Sequence, residues 1–409
     1  VAVSGRKDDN VIKILLFAAG LAMGAAASAP VIEASDGTYT DKVLVTGDTT
    51  PPSGYEAEIY RAESAGGTQT LLGTTPTDYF EDTEAYPGKL YYYSARICDM
   101  NKNCTAMSES DSGFRKLSPP THISATDNTY TDRIEVADFT GVEGATSYKI
   151  YRAETETGEK TYIGTSYHET FDDTQSHPCI EYWYFAKACA ATGCSAYSSY
   201  TDTGTKKLEE PDCLASKGAF TDRIVIESES ISYAARYRFY RAENYLGART
   251  EIGTVAVPRF EDDDPAVIPG KEYVYFTQAC CSNAWCSDYV YGNGHVPDGN
   301  KGYRALRAPA GITASDGRYR DSVVVSRYSG IEGATSYKIF RSDEAAGTKT
   351  LLEETADENI TDRNVLPEKR YWYFVQACRG DICSDFSEAD TGFASKLQGL
   401  PAVIFYLLR

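Results

Sequence analysis

The chain has 409 residues, too many for one ordinary hydrophobic core and enough for three or four small ones. It carries 33 Gly, 16 Pro, 32 Tyr and 15 Phe against 4 His and 3 Met, which favours strands and turns over long helices. A formal net charge of -19 argues for an acidic, soluble surface and against unaided nucleic-acid binding, and leaves room for an adhesion surface or a calcium site.

Residues 11–29, VIKILLFAAGLAMGAAASA, run from an early lysine through an apolar stretch to a small-residue ending at Ala29. This is the form of a secretory signal peptide, with cleavage expected before Pro30. The alternatives are a membrane anchor, for which the apolar run is short, and a retained apolar helix packed in an assembly.

From residue 30 the chain repeats itself. ASDGTYTDKVLV (34–45), ATDNTYTDRIEV (125–136), ASKGAFTDRIVI (215–226) and ASDGRYRDSVVV (314–325) open four units. A third-strand phrase follows in each: GATSYKIYRAE at 144–154 returns as GATSYKIFRSD at 333–343, with relatives around Tyr60 and Tyr240. Each unit then ends in an aromatic strand, a short turn and a Ser-rich strand. Short alternating strands between Gly, Pro, Asn and Asp turns predict β-sandwiches over 30–117, 118–209, 210–300 and 308–397. Residues 301–307 read as a linker, and 398–409 as an apolar tail.

These units resemble bacterial fibronectin type III domains. The resemblance lies in the SDG start with its V.V alternation, the GA..Y.VYR third strand and the PG..Y.Y sixth strand. It implies an all-β, elongated array of tandem immunoglobulin-like (fibronectin type III-like) β-sandwiches in a secreted surface protein. The chain departs from the pattern where such domains place a core tryptophan. Gly47, Asp138, Ser228 and Arg327 hold that position, so either the second strand bends out early or a neighbouring aromatic fills the gap.

Period two on the sixth strands assigns Tyr91 and Tyr93, Tyr182 and Tyr184, Tyr273 and Tyr275, and Tyr371 and Tyr373 to the core. The first of each pair is the candidate corner tyrosine, its hydroxyl reaching back to backbone. The outer face is unusually aromatic. Tyr92, Tyr151, Trp183, Phe185, Phe276, Phe340, Trp372 and Phe374 are its candidate contact residues. They suit cross-strand packing under lysine stems, or a lateral contact with a neighbouring domain or another copy.

Each unit has two cysteines spanning its last hairpin: Cys98 and Cys104, Cys189 and Cys194, Cys280 and Cys286, Cys378 and Cys383. Adjacent antiparallel strands bring Cα atoms within disulfide range, and one pair per unit is too few for a zinc site when His is scarce. Cys179 and Cys213 are candidates for an interdomain disulfide, which leaves Cys281 as the odd thiol, free or intermolecular.

Nothing catalytic stands out. His122, His168, His177 and His295 are scattered, and no metalloprotease, nucleophile-elbow or phosphate-loop motif is present. The pairs Glu81–Asp82 and Asp172–Asp173 and the triplet Asp262–Asp264 recur at one slot, which suggests turn and solubility roles. No cofactor is implied, although the acidic turns and Asp36, Asp41, Asp316 and Asp321 have the hard oxygens calcium would need. The apolar tail, with Val403, Ile404, Phe405, Tyr406, Leu407 and Leu408, could pack on its own domain or add a strand to another subunit. The sequence therefore suggests a non-catalytic extracellular structural protein whose partners are copies of itself. A surface adhesin for glycan or protein is the alternative.

Overall fold

The computed structural model of the protein describes residues 28–281, 285–289 and 300–396. The expectations for the segment before residue 28, for His295 and for the tail residues Val403, Ile404, Phe405, Tyr406, Leu407 and Leu408 lie outside the described residues. Every regular element among the described residues is a β-strand.

In the first sandwich, Ile32–Ala34, Val43–Gly47 and Tyr79–Asp82 form a sheet in the order first, second, fifth. Thr70–Thr75, Tyr55–Ala62, Tyr91–Asp99 and Asp111–Gly113 form the other, in the order fourth, third, sixth, seventh. All of these pairings are antiparallel. The same two orders recur around the third strands Ser147–Ala153, Arg236–Ala242 and Ser336–Ser342 and the sixth strands Glu181–Ala190, Tyr273–Cys280 and Tyr371–Arg379. The fold is thus all-β, a tandem series of immunoglobulin-like, fibronectin type III-like sandwiches.

The described residues gather into two compact units. One holds the residues up to Ala125 with Glu135–Asp172 and Tyr182–Thr203; the other holds Thr126–Ile134, Asp173–Glu181 and the residues from Gly204 onward. The division runs through the second sandwich.

Each core follows from strand alternation. In the first unit, Tyr91, Tyr93 and Ala95 face Ile32, Ala34, Val43 and Val45 across the sandwich. In the second, Tyr273 and Tyr275 meet Ile224, Ile226 and Phe239, while Tyr371, Tyr373 and Val375 meet Val323, Val325 and Ile339.

The recurrent third-strand phrase carries a bulge. Its register against the fourth strand shifts between Ile59 and Tyr60, Ile150 and Tyr151, Phe239 and Tyr240, and Ile339 and Phe340. Bulges sharpen the local twist. Opposite the bulge, Gly73, Gly164 and Gly253 lie against the rings of Phe80, Phe171 and Phe260. A Cβ on these glycines would fall 3.2, 2.5 and 2.2 Å from the ring. In the fourth sandwich the same slots hold Glu353 and Ile360, where a smaller side chain makes room for a Cβ.

The missing tryptophan is replaced by the next residue along. Asp138 and Arg327 take left-handed backbone, φ 58 and 64, so Phe139 and Tyr328 enter the core. There they pack on Tyr148 and Tyr337 at ring distances of 5.4 and 5.2 Å. The hydroxyls of Tyr148, Tyr237 and Tyr337 accept the backbone N–H of Val142, Ile231 and Ile331 at 3.1, 2.8 and 3.2 Å. In the first sandwich the corresponding residues are Ala57, without a hydroxyl, and Pro52, without an N–H. Acceptor and donor are absent together.

Candidate functional site

Asp82, Asp262 and Asp362 are buried at the ends of their fifth strands. Arg61 Nη1 donates to Asp82 Oδ2 at 2.8 Å and the Tyr93 hydroxyl donates to the same oxygen at 2.9 Å. Arg241 and Tyr275 treat Asp262 the same way at 2.8 and 2.9 Å, and Arg341 and Tyr373 treat Asp362 so at 2.8 and 3.0 Å. The other carboxylate oxygen accepts the N–H of Glu84, Asp264 or Asn364. A buried charge with its lone pairs taken up in this way is tolerated. Burial first, and then the adjacent Asp charge, push the phenols of Tyr93, Tyr275 and Tyr373 far above their ordinary range. Arg152, Asp173 and Tyr184 hold these slots in the second sandwich. The acidic turns of the first, third and fourth sandwiches are therefore not simply solvated, since Asp82, Asp262 and Asp362 are buried ties between strands. The sequence signal was the Arg of each third strand and the Asp closing each fifth.

Beside each node stands the corner tyrosine. Tyr91, Tyr273 and Tyr371 accept the N–H of Tyr86, Ile268 and Leu366 at 3.3, 3.2 and 3.1 Å. The node arginine lies over the same ring, 4.6, 5.5 and 4.7 Å from its centroid.

The outer aromatic face is covered by its own chain. Phe185, Phe276 and Phe374 are buried. Tyr197, Tyr289 and Phe386, three residues beyond the second hairpin cysteine, close on them at 6.0, 6.1 and 6.1 Å. They also meet Tyr151, Tyr240 and Phe340 edge-on at 5.1, 5.0 and 5.0 Å. Lys160, Arg249 and Lys349 cap the group, 4.2, 4.2 and 4.4 Å from the Phe185, Phe276 and Phe374 centroids. The candidate contact face is thus corrected: three of its residues are sealed by a ring and a cation. Tyr92, Tyr151, Trp183, Phe340 and Trp372 remain half-buried. The first sandwich differs, with Ser94 in the slot of Phe185. Its outer face carries Glu58, buried, accepting from Tyr60 OH at 2.7 Å, Arg96 Nε at 2.9 Å and Lys102 Nζ at 3.3 Å.

Disulfides join Cys98 to Cys104, Cys189 to Cys194, Cys280 to Cys286 and Cys378 to Cys383, each across its hairpin. The fifth corrects the expected Cys179–Cys213 pair and the odd Cys281. Cys179 is bonded to Cys281, and Cys213 is the buried free thiol. Cys213 sits on the first strand of the third sandwich with its side chain in the core, its Sγ 3.5 Å from Tyr275 O. Cys281 instead follows the sixth strand, at the edge facing Cys179.

That fifth bridge belongs to a repeated junction. In the first unit, a Cβ on Gly88 would lie 2.9 Å from Ala190 Cβ, and one on Gly144 would lie 2.1 Å from Pro87 O. In the second unit, a Cβ on Gly270 would lie 3.1 Å from Arg379 Cβ, and one on Gly333 would lie 2.2 Å from Pro269 O. Cys179 and Cys281 occupy the Gly88 and Ala190 slots, and Tyr233 occupies that of Gly144. Cys179 and Tyr233 hold the left-handed backbone of the glycines they replace, both with φ 67. His177 stacks on Tyr233 at 5.2 Å, and Lys207 forms an ion pair with Asp288 across the same joint.

Glu58, Cys98 and Cys104 form a group of three metal-ligand side chains among the described residues. Both sulfurs are held in the Cys98–Cys104 disulfide, so the donor set does not fit a metal. Asp36, Asp41, Asp316 and Asp321 are exposed.

No family model matches the chain, and no curated protein does. Among solved structures it is similar to the FN1–FN3 domains of chicken CNTN1, at 15% identity over 68% of this chain and 99% of that one, with a TM-score of 0.23. It is also similar to a two-domain fibronectin type III segment from chicken tenascin, at 18% identity, covering 45% and 98%, with a TM-score of 0.35. A third is an Fn3-like protein from Clostridium thermocellum, at 23% identity, covering 23% and 97%, with a TM-score of 0.21. Strand order and repeated nodes together define a tandem β-sandwich protein.

Proposed function

We propose that this chain is an exported structural protein of a bacterium, a subunit of a surface filament, stalk or similar homopolymeric assembly. The observation that carries this is how its polar and aromatic chemistry is used. Buried ion nodes, ring-and-cation covers and five disulfides all fasten parts of the chain to one another. Such disulfide density suits an oxidising compartment outside the cytosol, and the apolar segment ending at Ala29 suits export. Negative-stain microscopy of the native surface fraction, labelled with antibody against the chain, tests it. Ordered labelled polymers are expected, and strictly monomeric material at every salt, pH and concentration would overturn it.

Adhesion is the second candidate because Trp183 and Trp372 stay half-buried on the outer face. Glycan or protein binding lost on Trp183→Ala or Trp372→Ala would favour it.

A further inference from the structure

The junction slots recur three times with both halves met, and once each with a half unmet. Glu368 follows Pro367 as Gly88 follows Pro87 and Gly270 follows Pro269. Its backbone has the same form: φ is 60, and its N–H donates to Ala394 O at 2.8 Å, as those of Gly88 and Gly270 donate to Arg115 and Arg304 O at 2.9 Å. Among the described residues, the hydrogen bonds and the ion pair of this corner are with its own sandwich, and Glu368 and Leu366 are exposed.

The complementary half lies on the first sandwich. Asp99 follows Cys98 as Ala190 follows Cys189, Cys281 follows Cys280 and Arg379 follows Cys378. Gly54 takes the left-handed backbone of Gly144 and Gly333, yet no atom lies within 4 Å of where its Cβ would be. Around it is an open hollow of about 380 Å³, lined by Tyr55, Glu56, Asp99, Met100 and Lys102. Met100 is 88% exposed.

We propose that these two halves belong together in different copies of the chain. The Pro367–Glu368 corner of one copy seats in the Gly54–Asp99 hollow of the next. Three things favour a second copy as the occupant. The contact continues a joint the protein already makes three times. The charges pair crosswise: Glu368, with Lys396 at 3.7 Å, would face Lys102, which also donates to Glu58 at 3.3 Å in its own copy. Lys396 would face Asp99 and offset the acidic lining of Glu56, Glu58 and Asp99. The slot beside Lys396 holds a lysine that already reaches a neighbouring sandwich: Lys207, which stands where Ser395 does, pairs with Asp288. Glu368 needs more room than glycine, and the open hollow supplies it. The contact is looser than the internal joints and held by exposed charges, so salt weakens it. The docking rests on the homopolymeric function proposed above.

The Cys179–Cys281 bridge shows that a disulfide fits this slot pair, and it dictates the test. The full chain carrying Asp99→Cys and Glu368→Cys is treated with copper phenanthroline in air at low salt. Expected is a ladder of linked copies on a non-reducing gel, collapsed by dithiothreitol, with a 99–368 cross-linked peptide; each single variant stops at dimers. No ladder while both new thiols react with maleimide would overturn the docking. So would a 99–368 link within one copy, or a new thiol at position 368 that stays closed to maleimide. Charge exchange checks it independently of the cysteines. By sedimentation, Lys102→Glu should self-associate several-fold more weakly, and adding Glu368→Lys should restore it; unchanged association would count against the contact. Polymers seen by microscopy without the 99–368 link would overturn this docking alone, whereas absence of polymers would overturn the proposed function.

Discussion

Tyr275 donates its hydroxyl to Asp262 Oδ2 at 2.9 Å, and that oxygen also receives Arg241 at 2.8 Å. The three residues come from the sixth, fifth and third strands, so one carboxylate ties both sheets of the sandwich. Asp262→Ala would leave the Tyr275 phenol and Arg241 Nη1 without their acceptor, Arg241 keeping only the partly exposed Asp264 through Nη2 at 2.8 Å, at a cost of about 3 kcal/mol. Tyr275→Phe should cost about 1.5–3 kcal/mol, the range for a hydrogen bond to a charged group. Hydrogen exchange at the sixth-strand amides under mild urea checks both. Near-zero losses would assign the stability to the apolar core alone.

A second prediction concerns Gly253 under the ring of Phe260. Gly253→Ala places a methyl where a carbon would be 2.2 Å from that ring, and overpacking of this kind costs about 1–3 kcal/mol. Adding Phe260→Ile copies the smaller fifth-strand residue that stands opposite Glu353 in the fourth sandwich. The double variant should recover most of the loss in thermal unfolding; a purely additive outcome would mean that ring and glycine do not compensate each other.

Glu58 makes the first sandwich sensitive to acid. Its hydrogen bond from Tyr60, then those from Arg96 and Lys102, hold its carboxyl at about 2 against the opposing effect of burial. A folded value below the unfolded one of about 4.3 means stability that is complete above the unfolded value and lost as pH falls toward 2. Denaturation midpoints of this sandwich should therefore drop between about pH 4.3 and pH 2. Glu58→Gln should flatten that part of the curve, and an unchanged slope would remove Glu58 as its source.

Cys213 should be chemically silent in the folded protein. It is buried, and burial pushes its thiol up to about 11. Iodoacetamide under native conditions should leave it unmodified. In denaturant without reductant, mass spectrometry should find one added group per chain, on Cys213. A label on Cys179 or Cys281 would contradict their bridge.

The sandwiches were legible because alternation is a local property and was written four times. Tyr93 and Tyr275 could be assigned to the core from period two alone. The node could not, because joining Arg61 to Asp82 and Tyr93 needs the register of three strands, and an acidic pair in a turn looks solvated in one dimension. Phe185 looked available for the same reason: its cover, Tyr197, arrives from the final hairpin. The Cys179–Cys281 bridge required knowing that the corner after Pro178 and the end of a sixth strand meet at a joint. Asp138 and Arg327 looked like costly core residues until a left-handed backbone passed the position on to Phe139 and Tyr328.

The Cys179–Cys281 bridge, closing a loop of about 4.7 kcal/mol in chain entropy, also has a mechanical consequence. When the chain is pulled from its two ends, force passes through the sulfurs and bypasses the stretch between them, a sequence separation of 102. At full extension that stretch would have added roughly 340–370 Å, at roughly 3.3–3.6 Å per residue. The core strands of the third sandwich lie inside that loop and are shielded from tension, while the first and fourth sandwiches carry it directly. Oxidised, the protein should give up its contour length in two large steps and one shorter one; reduced, it should release the remainder.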